Sequence, residues 1–204
     1  LIIASIAAIA STYFSAMTAY AIYVYDFKAK KAIFSFILAV MMIPTQVTAL
    51  GFIKLILRIG LNDSYLALII PAIAAPAVFY YMHQYMESTL PHAIVEAARI
   101  DGSSEWKTFN TISLPIMRPA MAVQLIFAFV SNWNNYFTPA LVLQTEKKKT
   151  LPILIAQLRS ADFLKFDMGQ VYVSIALSIA PVIVVYLILS RSIVGGMAVG
   201  SVKG

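Results

Sequence analysis

An all-α protein that crosses a membrane several times is predicted by three features of the sequence. Of 204 residues, 61% are hydrophobic and only 12% are charged, about half the charged share of an ordinary soluble domain. Five runs free of Asp, Glu, Lys and Arg each reach the roughly 20 apolar residues that a spanning helix needs. The lysines and arginines lie between those runs, which explains the net charge of +6 without a nucleic-acid partner.

The first run, Leu1–Tyr25, is longer than the roughly 7–15 residues of a signal-peptide core and reads as a span. Asp26–Lys31 follows as a tight basic turn. Ala32–Ile53 and Ser64–Met86 are the second and third runs, with Pro44, Pro71 and Pro76 inside them. A spanning helix tolerates such prolines as kinks where neighbours satisfy the freed carbonyls. Pro119–Thr145 and Met168–Ser190, the latter holding Pro181, complete the set. Within the long Gln144–Asp167 connection, Leu151, Leu154, Ile155 and Leu158 recur at helical spacing and predict a short amphipathic helix at the membrane surface. Lys147–Lys149 reads as a solvated charge run.

The Glu87–Arg118 connection carries seven charged residues and has the punctuation of two short helices. Pro91 suits a first helical turn. Gly102 suits the left-handed residue that ends a helix, with Ser103 or Ser104 capping the next and Glu105 in its first turn. Trp106, Phe109, Ile112 and Ile116 then place apolar groups along one side. The product is an elbow of surface helices between two spans.

Chemistry-bearing constellations are absent from the sequence. With no cysteine there is no thiolate metal site or cysteine nucleophile. No G-x-x-x-x-G-K-[ST], H-E-x-x-H or G-x-S-x-G occurs. His83 and His92 lack a carboxylate pair or second histidine at ligand spacing and read as interfacial or loop-satisfying residues. No catalytic residue, metal site or cofactor is expected, and the chain is not expected to be an enzyme.

The spacing Glu96-Ala97-Ala98, three residues, Gly102, nine residues, Ile112-Ser113-Leu114-Pro115, with Asp101 before the glycine, resembles the EAA loop of ABC importer permeases. Asn132-Trp133-Asn134-Asn135-Tyr136-Phe137 resembles the family's Trp-Asn stretch and Thr150-Leu151-Pro152 the start of its extracytoplasmic segment, while the Gly200–Gly204 tail is similar to that of the sugar-importer branch, the group of the maltose transporter's smaller permease. The resemblance implies a single transmembrane permease domain over 1–204, with residues 87–118 as its cytoplasmic EAA loop. It implies a translocation path for a carbohydrate. The implied partners are a second permease subunit, ATP-binding ABC subunits, an extracytoplasmic solute-binding protein and membrane lipid.

The resemblance further implies that Glu96, Ala97, Ala98, Asp101 and Gly102 couple the chain to the ATPase, and that the chain sits in a bacterial inner membrane with loop and C-terminus cytoplasmic. The Lys/Arg count, eight on one side against seven on the other, does not decide orientation by itself. Members of the family usually have six helices, so one further span is expected before Leu1. Asn132, Trp133, Asn135 and Tyr136 are candidates for the solute path, since amides bond sugar hydroxyls and an aromatic ring stacks on a sugar's apolar face. Interhelical polar packing is the other reading, favoured by the position of Trp133 well past the middle of its span. A secondary transporter or channel is the alternative function. It is disfavoured because such proteins place ionisable groups within their spans to couple ions.

Overall fold

Apolar runs in lipid must satisfy every backbone group internally, and the chain does so with helices. The computed structural model describes residues 1–160 and 167–200; the C-terminal tail and positions 161–166 of the long connection lie outside the described residues. Among the described residues there are helices and turns and no strand. Three stretches among the described residues are long and apolar enough to cross a membrane: Ile2–Val24, Leu66–Thr89 (with a short break at Ala74–Ala75) and Met168–Ser190. Two bent pairs, Lys30–Met41 with Thr45–Arg58 (101°) and Glu105–Ile116 with Arg118–Trp133 (82°), raise the number to five if each is counted as one span.

The first helix, α1 (Ile2–Val24), is central. Its buried residues are almost all small: Ala4, Ala7, Ala8, Ser11, Thr12, Ser15, Ala16 and Ala19. They repeat on more than one face, and α1 accordingly packs against α4 (Leu66–Ile73), α5 (Pro76–Thr89) and α9 (Arg118–Trp133). At one end Ala4 and Ala8 meet Ala128 and Phe129 of α9. Towards the other end Ala16, Ala19, Tyr20 and Ile22 join Val78, Phe79, Met82 and Met86 of α5.

Ala32–Ile53 was expected as one kinked span. The structure corrects this to α2 (Lys30–Met41) and α3 (Thr45–Arg58), separated by a right-angle turn. Pro44 lacks an N–H, disfavours a helical Ile43, and adopts an extended ψ of 133°. Pro71 and Pro181, by contrast, lie inside α4 and α12 (Met168–Gly200). At the α4–α5 break before Pro76, the Ser15 hydroxyl donates to the carbonyl of Ala75 at 3.4 Å.

Pro119–Thr145 is also divided. Helix α9 stops at Trp133, and only after Asn134–Tyr136 does α10 (Phe137–Val142) resume. The surface helix α11 (Leu151–Arg159) forms, although its buried residue is Ile153 and Leu154 faces out. No residue of α2 is buried, and α12 exposes Tyr172, Leu177 and Ile188. Such faces suit lipid or a neighbouring subunit as solvent.

At the end of the molecule away from the elbow, Asp63 clasps two connections together. Its carboxylate accepts from the Gln144 and Thr145 amides (2.9 and 3.1 Å), the Thr145 hydroxyl (2.6 Å) and the Lys148 ammonium (2.9 Å). Lys148 and Lys149 are therefore not simply solvated, since Lys149 pairs with Glu146. Hydrogen bonds from Thr145 hold the Asp63 carboxyl below its ordinary range, aided by Lys148. The clasp's contribution is thus complete above the ordinary aspartate pKa and is lost as pH falls below it. Asp63 sits at φ +53°, a conformation that asparagine also tolerates. Asp63→Asn is expected to keep the turn and open the clasp, read as faster proteolysis at residues 144–149.

In lipid the close approach of backbones across small residues supplies the packing energy. Ala8→Leu at the α1–α9 contact is expected to cost about 1–3 kcal/mol by overpacking, seen as a lower unfolding temperature in detergent. An unchanged temperature would show that α9 is held elsewhere.

Candidate functional site

The elbow is built from three local devices. Leu90 and Val95, both buried in the same cluster, flank the start of α6 (His92–Ile100) as N′ and N4 residues and fix its entry angle. Pro91 is the N-cap with ψ 134°, one position before the first turn where the sequence placed it. At the other end the Ser103 amide donates to Ala98 O (2.9 Å) and the Gly102 amide to Arg99 O (3.0 Å). This is the paired Schellman closure, with Gly102 at φ +77°. Ser104 then caps α7 (Glu105–Thr108), its hydroxyl accepting from the Lys107 amide.

The nine residues of α6, about two and a half turns, thus form a helix with two distinct faces. Val95 and Ala98 point inward. Ala93, Glu96, Ala97 and Ile100, at i, i+3, i+4 and i+7, are exposed, Ile100 by 86%. Of the sequence-designated residues, Glu96 and Ala97 therefore face out. Asp101 is the exposed C-cap, and Gly102 makes the turn. Ala98 belongs to the inner face, because adjacent helical residues point about 100° apart.

The second arm departs from a regular helix. Phe109–Ser113 forms a π turn between α7 and α8 (Leu114–Ile116), which carries Phe109 into the core while Trp106 stays 62% exposed. Phe109 lies between two tyrosines of α1, 5.8 Å from Tyr13 and 5.3 Å from Tyr20. Trp106, Phe109, Ile112 and Ile116 are thus not equivalent positions on one face.

Residues outside the expected set hold this arm in place. Arg99 Nε donates to Glu105 Oε1 at 2.6 Å, and Tyr20 Oη donates to Glu105 Oε2 at 3.2 Å. The Arg99 guanidinium also lies over the Tyr25 ring. Tyr13 Oη donates to Asn110 Oδ1, and Tyr23 Oη donates to Leu90 O. His92 stacks on Tyr23, whereas His83 is buried among Phe34, Phe79 and Tyr23. Hydrogen bonding to Arg99 holds the Glu105 carboxyl below its ordinary value, and the same bond raises Arg99. The signal available in sequence was the seven-residue spacing of Tyr13 and Tyr20 on a helix rich in alanine and serine.

Helical spacing predicts that Asn132, Asn135 and Tyr136 share a face with Trp133 alongside; the structure breaks the helix between them, so they do not. Asn132 and Trp133 end α9, Asn134 is its C-cap, and Asn135 and Tyr136 lie beyond it. Asn132 donates to Ala128 O and Asn135 accepts from the Thr138 amide. Trp133 stacks on Phe129 and donates to Ser178 O at 2.9 Å, tying α9 to α12. Asn132, Trp133 and Asn135 also line a cavity of about 310 Å³ with Tyr65, Thr138 and Lys149. Tyr136 lines its neighbour, of about 300 Å³, with Trp133 and Arg159. No group of His, Asp and Glu suited to a metal ion occurs among the described residues.

The family described as binding-protein-dependent transport system inner membrane component matches residues 6–198. The chain belongs to this family. Over 195 residues it is 36% identical to the arabinooligosaccharides transport system permease protein of Bacillus subtilis (strain 168), covering 94% of this chain and 67% of that protein. The lactose transport system permease protein of Rhizobium radiobacter is 30% identical, with 93% and 68% covered. The trehalose/maltose transport system permease protein of Thermococcus litoralis is 30% identical, with 100% and 73% covered. The fold is that of a solved bacterial ABC transporter involved in the import of the acidic polysaccharide alginate, with a TM-score of 0.74, 22% identity and 93% and 74% coverage. This inner membrane component therefore spans about two thirds to three quarters of the relatives it matches.

Because the Glu105 carboxyl is depressed, its contribution to the elbow is complete above the ordinary glutamate pKa of 4.5 and fades as pH falls through the lower folded-state value. Amide protection at residues 103–108 is expected to drop on acidification in the wild type. Glu105→Gln is expected to show the reduced protection already at neutral pH, with no further acid loss.

Proposed function

We propose that this chain is a permease subunit of an ATP-driven importer in a bacterial inner membrane, and that it forms part of the translocation path for a carbohydrate. The EAA loop couples it to a separate ATP-hydrolysing subunit, and the loop and the C-terminus are cytoplasmic. The observation that carries the reading is α6, a helix of nine residues between spans, with one face packed on its own chain and the other left open. Isolated helices shorter than about 12–15 residues are marginal in water, so α6 is stable because Val95 and Ala98 are packed. Its outer face of Ala93, Glu96, Ala97 and Ile100 offers a shallow apolar surface and one charge to a partner. The named relatives, all sugar-transport permeases, support the carbohydrate assignment and the partnership with a second permease and an extracytoplasmic binding protein. Alternating access follows: closure of the ATPases draws the α6 helices together and rocks the permeases about the path.

The loop is tested by two substitutions of different kinds. Ile100→Asp changes an exposed side chain and leaves stability within about 0.5 kcal/mol. It is expected to abolish co-purification of the ATPase subunit and uptake of labelled oligosaccharide. A Cβ at Gly102 meets no atom within 4 Å, so the main cost of Gly102→Val is the left-handed backbone, about 1–2 kcal/mol. Transport is expected to fail in Gly102→Val and to survive better in Gly102→Asn. Normal ATPase binding and uptake in Ile100→Asp would make the loop a connector.

For the solute path, Trp133→Phe keeps an aromatic ring on Phe129 but loses the donor to Ser178. If Asn132, Trp133, Asn135 and Tyr136 line the path, uptake falls while the unfolding temperature moves little. Packing alone predicts a loss of about 0.5–1.5 kcal/mol with uptake intact.

A further inference from the structure

The α6 helix docks outward, and something must carry its displacement inward to the spans. Three features of the structure converge on one carrier. First, the elbow touches α1 through polar bonds as well as packing: Glu105 to Tyr20, Asn110 to Tyr13 and Leu90 O to Tyr23, at 3.2, 3.0 and 2.8 Å. Second, the two arms of the elbow are joined to each other at the same point. Arg99 of α6 and the Tyr20 hydroxyl take opposite oxygens of the Glu105 carboxylate, and Tyr25 lies under the guanidinium. Third, α1 is the helix against which α4, α5 and α9 all pack. A push on α6 delivered to α1 therefore reaches three further helices at once.

Such a link needs a directional bond at its centre. Aromatic packing of Phe109 on Tyr13 and Tyr20 resists compression but slides under shear. A carboxylate held from two sides by a guanidinium and a phenol resists shear as well, because charge-assisted hydrogen bonds are about twice as strong as neutral ones. The π turn at Phe109–Ser113 sets the register that places Phe109 between the two tyrosines. π bulges interrupt helices frequently at functional sites.

We propose that Glu105, gripped by Arg99 and Tyr20, is the pin that makes the EAA elbow and α1 move as one body, so that α1 carries the coupling movement into the membrane. Glu105, Arg99 and Tyr20 are positioning residues, touching neither ATP nor solute. The inference rests on the coupling role assigned to the loop above. It adds a path that family membership does not state.

The experiment uses the assembled importer in proteoliposomes and reads solute moved per ATP hydrolysed. Tyr20→Phe and Glu105→Gln, both nearly isosteric, are expected to keep the ATPase subunits bound and hydrolysing while transport per ATP falls about fivefold or more, the lower range of inter-site coupling. The absence of native cysteine permits a second arm. Tyr20→Cys with Glu105→Cys is expected to be uncoupled, and bridging the two thiols with a short bifunctional reagent is expected to restore transport per ATP. Unchanged coupling in the single variants overturns the proposal. So does a bridge that leaves the double variant uncoupled, since α1 and the elbow would then move separately. Loss of ATPase binding in Glu105→Gln also overturns it, by reducing Glu105 to a support for the docking face. Failure of the wild-type chain to bind an ATPase at all would instead remove the coupling reading on which the pin depends.

Discussion

The fold depends on how closely other helices can approach α1. Lipid tails are as apolar as leucine, so no hydrophobic force gathers helices within a bilayer; van der Waals contact and a few polar bonds must do so. A surface of Ala4, Ala7, Ala8, Ser11, Thr12, Ser15, Ala16 and Ala19 lets α4, α5 and α9 come near enough for that contact. The larger side chains of the interface are supplied from the other side, by Phe79, Met82 and Met86 on α5 and Phe129 on α9. Size complementarity around one helix organises the bundle.

The same helix changes character along its length. Where it faces α9 it is nearly all alanine, and towards the elbow it carries Tyr13, Tyr20 and Tyr23, with Tyr25 as its C-cap. Tyrosine combines a large apolar ring with a hydroxyl that finds a partner when buried. The rings of Tyr13 and Tyr20 enclose Phe109, and the hydroxyls of Tyr13, Tyr20 and Tyr23 each reach a group on the Leu90–Asn110 stretch. The elbow is thereby joined to the helix that organises the bundle. At the far end Asp63 performs a comparable task with a carboxylate and four donors. The two ends of the bundle are closed by polar groups, and its middle is closed by fit.

Breaks matter as much as helices. Pro44 turns the chain through a right angle between α2 and α3, while Pro71 and Pro181 leave their helices continuous. The difference follows from the residue before each proline. Ile43 lies outside any helix ahead of an extended Pro44, whereas Ile70 stays helical. In lipid a freed carbonyl is tolerated only where a neighbour satisfies it. The end of α9 at Trp133 has a similar consequence, because Asn132, Asn135 and Tyr136, which a continuous helix would have put on one face, are spread over two adjacent cavities.

What the sequence determined alone was everything set by local chemistry. Apolar run length marked an all-helical membrane protein and three of its spans, the spacing from Glu96 to Pro115 marked the family, and Gly102 and Ser104 were legible as a left-handed turn and a cap. These readings hold because backbone sterics and hydrogen-bond capacity act within a few residues. Tertiary structure alone decided which face of each element meets which neighbour. It turned Ala98 inward beside an outward Ala97, paired Arg99 with Glu105, and placed Tyr20 on the same carboxylate from 85 residues away. It also used Lys148, one of a run of three lysines, to close the Asp63 clasp. Each outcome depends on groups distant in the chain, and the energy of such contacts is decided by geometry that no local pattern encodes.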